Sequence, residues 1–85
     1  MLQTLSEPID ALVIYRRGAP HPLLHAFRWK NRRYDVTAIH LVHEEHEGET
    51  QYLCYSLDCS GETFYVRLNT KRGLWTLEAI DTGSP

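Results

Sequence analysis

The chain has 85 residues, no long hydrophobic run and no large net charge of either sign. It contains only two cysteines. Its longest apolar run covers residues 11–15, far short of the ~20 residues of a membrane-spanning helix. The first residues have neither the basic start nor the apolar core of a signal peptide. We therefore expect a cytoplasmic protein with no membrane partner, in which Cys54 and Cys59 are reduced thiols.

The sequence also lacks the motifs that carry most enzymatic chemistry. No serine lies in a Gly-x-Ser-x-Gly context, and no glycine-rich loop precedes a helix to hold phosphate. Cys54 and Cys59 do not have the two-residue spacing of a zinc knuckle, and no second cysteine pair follows. We expect a protein that is not an enzyme and that needs no cofactor.

What the chain does contain is typical of a small globular domain. Hydrophobic residues make up 42% of the sequence and charged residues 24%, with a net charge of −2. Residues 1–85 are expected to form a single β-barrel-like domain, with 1–8 and 82–85 frayed. Because the net charge is close to zero, any binding to nucleic acid must depend on a local cluster of cations.

Alternating apolar and polar residues, with turn signals roughly every ten residues, predict an all-β fold. We expect six antiparallel strands in a meander that forms a small barrel or a strongly curved sheet. In chain order the expected strands are 9–17, 23–30, 33–43, 51–58, 62–69 and 74–81.

Two local features refine this expectation. The segment Lys30-Asn31-Arg32-Arg33 predicts a tight hairpin turn, because Asn31 tolerates a positive φ. Near Ala38 and Ile39 the apolar positions change phase, which predicts a β-bulge. A helix over 39–47 is the alternative, because glutamates are good helix formers.

The alternation also predicts which side chains form the core. The expected core residues are Val13 or Ile14, Phe27, Trp29, Tyr34, Val36, Ile39, Leu41, Leu53, Tyr55, Leu57, Phe64, Val66, Leu68, Trp75, Leu77 and Ile80.

Four short segments, three of them aromatic, together resemble a known family. They are Glu7-Pro-Ile9, Phe27-x-Trp29-x-x-x-x-Tyr34-x-Val36, Phe64-Tyr-Val-x-Leu68 and Trp75-x-Leu77-Glu78. The pattern resembles small bacterial domains of unknown function with a Phe-x-Trp-Arg-x-Arg-x-Tyr-x-Val hairpin, loosely associated with DNA-repair settings such as translesion polymerases. The resemblance spans nearly the whole chain and implies a small β domain in DNA maintenance. The sequence departs from the family pattern after the third strand, where residues 43–47 stand in place of the tryptophans that the family would have.

Cations and aromatics are concentrated in residues 27–36. Exposed aromatics beside cations are how small β-barrels bind single-stranded nucleic acid. We therefore expect a nucleic-acid-associated accessory domain whose partner is DNA or RNA. The candidate binding residues are Arg28, Lys30, Arg32 and Arg33 of the hairpin and Tyr65 and Arg67 on an adjacent outward face.

Three other interpretations stay open. Trp29 and Tyr34 can be core residues, with the cations as a solvated face. The protein can instead be an interaction or assembly module that binds a protein partner or a second copy through a sheet edge or an apolar patch at 23–24. A metal-binding or hydrolytic protein would use His40, His43 and His46, which converge on a helix but not on a strand. Because we expect a strand, we assign no metal site to these histidines.

Overall fold

The computed structural model describes residues 1–82, which form eight β-strands and no helix. The strands are β1 (Leu2–Pro8), β2 (Asp10–Ile14), β3 (Leu23–Trp29), β4 (Arg32–Asp35), β5 (Ala38–Glu47), β6 (Thr50–Cys59), β7 (Glu62–Asn69) and β8 (Leu74–Asp81). Among these residues there is thus no helix with the length and hydropathy to span a membrane.

The strands form two antiparallel sheets. The five-stranded sheet has the order β1-β8-β7-β6-β5, and the three-stranded sheet has the order β2-β3-β4. The predicted all-β antiparallel class is confirmed. The prediction of six strands in a barrel is wrong, because eight strands form two sheets and residues 1–82 contain no closed barrel.

One additional strand lies at the N-terminus. Residues 1–8 were expected to be frayed, but β1 pairs with β8 from Leu2 opposite Asp81 to Pro8 opposite Thr76. At the other end, the backbone N–H of Thr82 donates a hydrogen bond to the carbonyl of Met1 at 3.1 Å. The rest of the tail predicted to be frayed, 83–85, lies outside the described residues.

The other additional strand arises because the predicted strand 33–43 is divided between the two sheets. The chain crosses at Val36 and Thr37, whose backbone N–H groups donate to the carbonyls of His25 (3.0 Å) and Asp58 (2.8 Å) respectively. The first of these acceptors belongs to β3 and the second to β6. The predicted bulge is present at Ile39–Leu41, slightly beyond its predicted place, and the helix alternative is excluded.

The core lies between the two sheets and is rich in aromatic contacts. Phe27 of β3 stacks on Tyr34 of β4 at 5.1 Å and meets Phe64 of β7 edge-on at 5.4 Å. The Tyr55 hydroxyl donates to the carbonyl of Pro22 at 2.6 Å. Contacts of this kind join the three-stranded sheet to the five-stranded one.

Most of the predicted core is buried or partly buried, with one exception, Leu41, which is 57% exposed. Of the two alternatives Val13 and Ile14, Val13 packs against the core and Ile14 is 40% exposed. The main cluster of buried core residues contains two that are absent from the predicted list, Leu24 and Cys59. Leu24 turns inward because the β2–β3 ladder shifts register at His25. The prediction that 23–24 forms an apolar surface patch is therefore wrong for Leu24, which is buried.

Candidate functional site

The basic hairpin, defined as Arg28, Lys30, Arg32 and Arg33 on β3–β4, is built by a two-residue turn. Lys30 and Asn31 have φ values of 52° and 61°, and Trp29 pairs with Arg32 on either side of them. Two consecutive positive φ angles match the right-handed twist of the flanking strands. The predicted tight turn is confirmed, and its register places Arg28 directly opposite Arg33.

Arg28 and Arg33 lie on the solvent side of the three-stranded sheet, where both are exposed. The Nε of Arg33 donates to the Asp35 carboxylate at 2.8 Å, whereas Arg28 has no ion pair within 4 Å among residues 1–82. The two guanidinium groups line a shallow groove of about 330 Å³, together with Asp10 and Leu12. Like charges directly opposite each other repel. Asp35, bonded to Arg33, and Asp10, opposite Arg28 on β2, reduce that repulsion.

The other two cations of the hairpin cover aromatic rings. The Lys30 ammonium lies 4.9 Å from the ring centroid of Trp29, and the Arg32 guanidinium lies 5.3 Å from that of Tyr34. Trp29 also donates its indole N–H to Glu7 at 2.9 Å. Both rings are partly buried against the core. The aromatics of the hairpin are thus structural, and its four cations remain exposed.

Tyr65 and Arg67 lie on a different surface from the basic hairpin. Side chains alternate along β7, and its residues Phe64 and Val66 are each 1% exposed in the core. Tyr65 and Arg67 therefore point to the outer face of the five-stranded sheet, away from Arg28. The six predicted binding residues do not form one patch.

Arg67 is held in place by its neighbours. Its guanidinium stacks over the Tyr52 ring at 3.6 Å and donates to the Glu47 carboxylate at 2.6 Å. The hydrogen bond to Glu47 raises the pKa of Arg67, and its buried Nε has no hydrogen-bond partner among the described residues. The charge of Arg67 is therefore compensated within the protein.

A second group of polar side chains lies beside Arg67. We define the outer cluster as His43, Glu45 and Cys54, on the outer face of the five-stranded sheet. His43 of β5 is directly opposite Cys54 of β6, which in turn is opposite Arg67 of β7. The Nε2 of His43 lies 3.1 Å from the carboxylate of Glu45, and one donor atom from each member of the cluster falls within 4.8 Å of the others. A groove of about 520 Å³ contains the cluster, together with Arg67 and Glu78.

Protonation in the outer cluster follows from these contacts. The hydrogen bond from His43 lowers the pKa of Glu45, which is therefore a carboxylate at neutral pH. Burial, followed by the negative charge of Glu45, raises the pKa of the Cys54 thiol to about 11. The thiol is thus protonated at neutral pH. Because the thiolate is the reactive form, Cys54 is not set up as a nucleophile.

The histidines at 40, 43 and 46 do not converge, as expected for a strand. His40, at the bulge, lies 2.9 Å from the Asp58 carboxylate, and His46 points to the opposite face of β5 from His43. Sequence reasoning missed the grouping of His43 with Glu45 and Cys54. The signal was present in Gly48, whose φ of 60° allows a two-residue turn between β5 and β6. That turn fixes the register and brings His43 opposite Cys54.

Comparison of the chain with protein-family models, with curated proteins and with solved structures finds no match. The resemblance to small DNA-maintenance domains therefore stays a prediction.

Proposed function

We propose that the protein is a nucleic-acid-associated accessory module that contacts a phosphate backbone through the basic hairpin. The observation that carries the proposal is the pair Arg28–Arg33, two exposed side chains placed directly opposite each other, of which Arg33 is bonded to the carboxylate of Asp35. A phosphate between two such groups removes their repulsion and accepts charge-assisted hydrogen bonds. The resemblance to small domains of DNA-repair settings supports the same role.

The burial of the aromatic rings in the hairpin limits how nucleic acid would bind. Trp29 and Tyr34 are partly buried and covered by Lys30 and Arg32, so no free ring beside the cations can stack on a base. Binding would therefore use phosphates and not bases, with little dependence on nucleotide sequence. With four cations and a net charge of −2, we expect a dissociation constant on the order of 10⁻⁴ M at physiological salt.

Fluorescence anisotropy with labelled single- and double-stranded oligonucleotides tests this proposal. The variant is the double substitution Arg28→Glu and Arg33→Glu. The matched control is Lys71→Glu and Arg72→Glu, which makes the same change of charge in the turn between β7 and β8. We expect the hairpin variant to bind at least tenfold more weakly than the wild type and the control variant to bind several-fold more tightly than the hairpin variant.

Two results would reject the proposal. One is wild-type binding weaker than millimolar at low salt. The other is an equal loss of affinity in the hairpin variant and in the control, because the loss would then reflect net charge and not a surface.

A second candidate function is assembly through the edge strand β2. This strand and the residue after it expose three large apolar side chains, Leu12 (51%), Ile14 (40%) and Tyr15 (79%). Exposed edges with apolar side chains favour pairing with another strand. By contrast β5, an edge strand of the five-stranded sheet, carries charged residues such as Glu44 and Glu45. Sedimentation velocity tests this: a dimer that Leu12→Lys converts to a monomer supports it, and a wild-type monomer at all concentrations rejects it.

A further inference from the structure

We propose that the outer cluster, His43, Glu45 and Cys54, binds one Zn²⁺ ion. The cluster offers an imidazole nitrogen, a carboxylate oxygen and a thiol sulfur, the three donor types that zinc takes from proteins. Their donor atoms lie within 4.8 Å of one another. The cluster is on the outer face of the five-stranded sheet, so this inference is independent of the basic hairpin and of the proposed function.

The cluster is close to the geometry that zinc requires. Tetrahedral coordination at the usual bond lengths places neighbouring donor atoms roughly 3.3–3.7 Å apart. His43 Nε2 and the Glu45 carboxylate are already 3.1 Å apart, on side chains that are about half exposed, at 50% and 51%. These two side chains can therefore rotate to admit an ion. The register of β5 on β6 already places His43 directly opposite Cys54, with Glu45 two residues further along the same face of β5.

The charges around the cluster are compatible with a bound cation. Arg67 is adjacent to Cys54, but its guanidinium is bonded to Glu47 at 2.6 Å. The groove itself is lined by two carboxylates, Glu45 and Glu78, against this single guanidinium. The local balance is therefore negative. On binding, the Cys54 thiol releases its proton to solvent and the thiolate adds a further negative charge next to the ion.

The donor set also defines the metal. A thiolate is a soft ligand that favours zinc over magnesium or calcium, which prefer oxygen donors alone. Three protein ligands leave the fourth position of a tetrahedral ion to water, and the groove of about 520 Å³ has room for it beside the cluster. The site would therefore be open, unlike the closed four-ligand sites that serve only structure.

Metal titration of the reduced, chelator-treated protein tests the inference. Isothermal titration with Zn²⁺ is expected to show one ion per chain. Titration with Co²⁺ is expected to show the thiolate-to-cobalt charge-transfer absorption, which reports a Co–S bond. Cys54→Ser should abolish that absorption, and Cys54→Ser, His43→Ala and Glu45→Gln should each weaken Zn²⁺ binding roughly tenfold or more.

Matched controls come from the other face of the same strand. Glu44→Gln and His46→Ala repeat two of the substitutions on residues that point away from the cluster, and both should bind Zn²⁺ as the wild type does. Absence of the charge-transfer absorption in the wild type would overturn the inference. So would a Cys54→Ser variant of undiminished Zn²⁺ affinity, or an equal loss of affinity in the two controls, which would indicate dispersed surface binding.

Discussion

Arg33 and Arg67 show how neighbours decide what an arginine is free to do. Both donate to a carboxylate, but the side chain of Arg33 is 56% exposed and that of Arg67 is 22% exposed. Arg67 is also stacked on Tyr52 at 3.6 Å. A guanidinium has five N–H donors, so the single bond from the Arg33 Nε leaves its outer nitrogens open to a ligand. Arg33 therefore keeps exposed donor groups, whereas the guanidinium of Arg67 is engaged by Glu47 and Tyr52.

At the same scale, the buried thiol of Cys59 should make the stability of the protein depend on pH. The residue is fully buried, and burial raises the pKa of its thiol from 9.0 to about 12. Because the folded pKa is above the unfolded one, the unfolded chain loses its proton first as pH rises. The contribution of this thiol to stability is complete below pH 9 and is lost as pH rises through about 12. We predict that the free energy of unfolding, measured in urea, falls across that interval.

The substitution Cys59→Ala provides the control. It should lower stability at every pH, because it leaves a small cavity in the core. Its free energy of unfolding should nevertheless change less steeply with pH than that of the wild type, since the ionisable group is gone. Equal slopes in the two proteins would show that Cys59 is not responsible.

At the scale of the element, the turn of the basic hairpin predicts a difference between two small substitutions. Asn31 has a φ of 61°, a conformation that costs most residues with a Cβ about 1–2 kcal/mol, whereas glycine adopts it freely and asparagine tolerates it through local hydrogen bonds of its side chain. We therefore predict that Asn31→Ala lowers the free energy of unfolding by about 1 kcal/mol, while Asn31→Gly leaves it nearly unchanged. Urea denaturation of both variants measures this. Equal losses in the two variants would argue against the positive-φ turn.

The strands that sequence reasoning located best are those whose preceding turns are marked by glycine. The bounds predicted for β7 and β8, 62–69 and 74–81, agree with the structure, because Gly61 and Gly73 mark the turns before them. β1 was missed because its two large apolar residues, Leu2 and Leu5, are three apart and show no period of two. Its order comes from pairing with β8, which no local pattern encodes.

The division of β4 from β5 was missed for a related reason. The alternation of Tyr34, Val36 and Ala38 continues across the boundary, so the local pattern describes one strand. The crossing is determined by hydrogen bonds to His25 and Asp58, which belong to two different sheets. Nothing in the segment itself records which sheet it will join.

The candidate sites differ in the same way, in whether local sequence or long-range pairing positions their residues. The basic hairpin is local in sequence, so its turn and its pairs could be predicted from the residues alone. Tyr65 and Arg67 were grouped with it wrongly, because which faces come together depends on how the sheets pack. Predicting the outer cluster requires the register of β5 on β6. The turn at Gly48 indicates that register, whereas alternation alone does not.

At the scale of the whole molecule, the two outer faces differ in chemistry. The three-stranded sheet presents the basic hairpin, with Arg28 opposite Arg33, and the five-stranded sheet presents the outer cluster beside Arg67. The net charge of −2 averages over both faces and hides the local excess of cations. Since the faces are on opposite sides of the core, a polyanion and a metal ion could be bound at the same time.

The salt dependence of oligonucleotide binding is the most direct test of the proposed function. Neutralised phosphates of a single strand each contribute about −0.7 to the slope of log affinity against log salt concentration, so the four hairpin cations predict a slope of about −3. Replacing Arg28 and Arg33 by glutamine should reduce that slope to about half. A wild-type slope near zero, or a slope that the double substitution leaves unchanged, would contradict the proposal that the basic hairpin contacts the phosphate backbone.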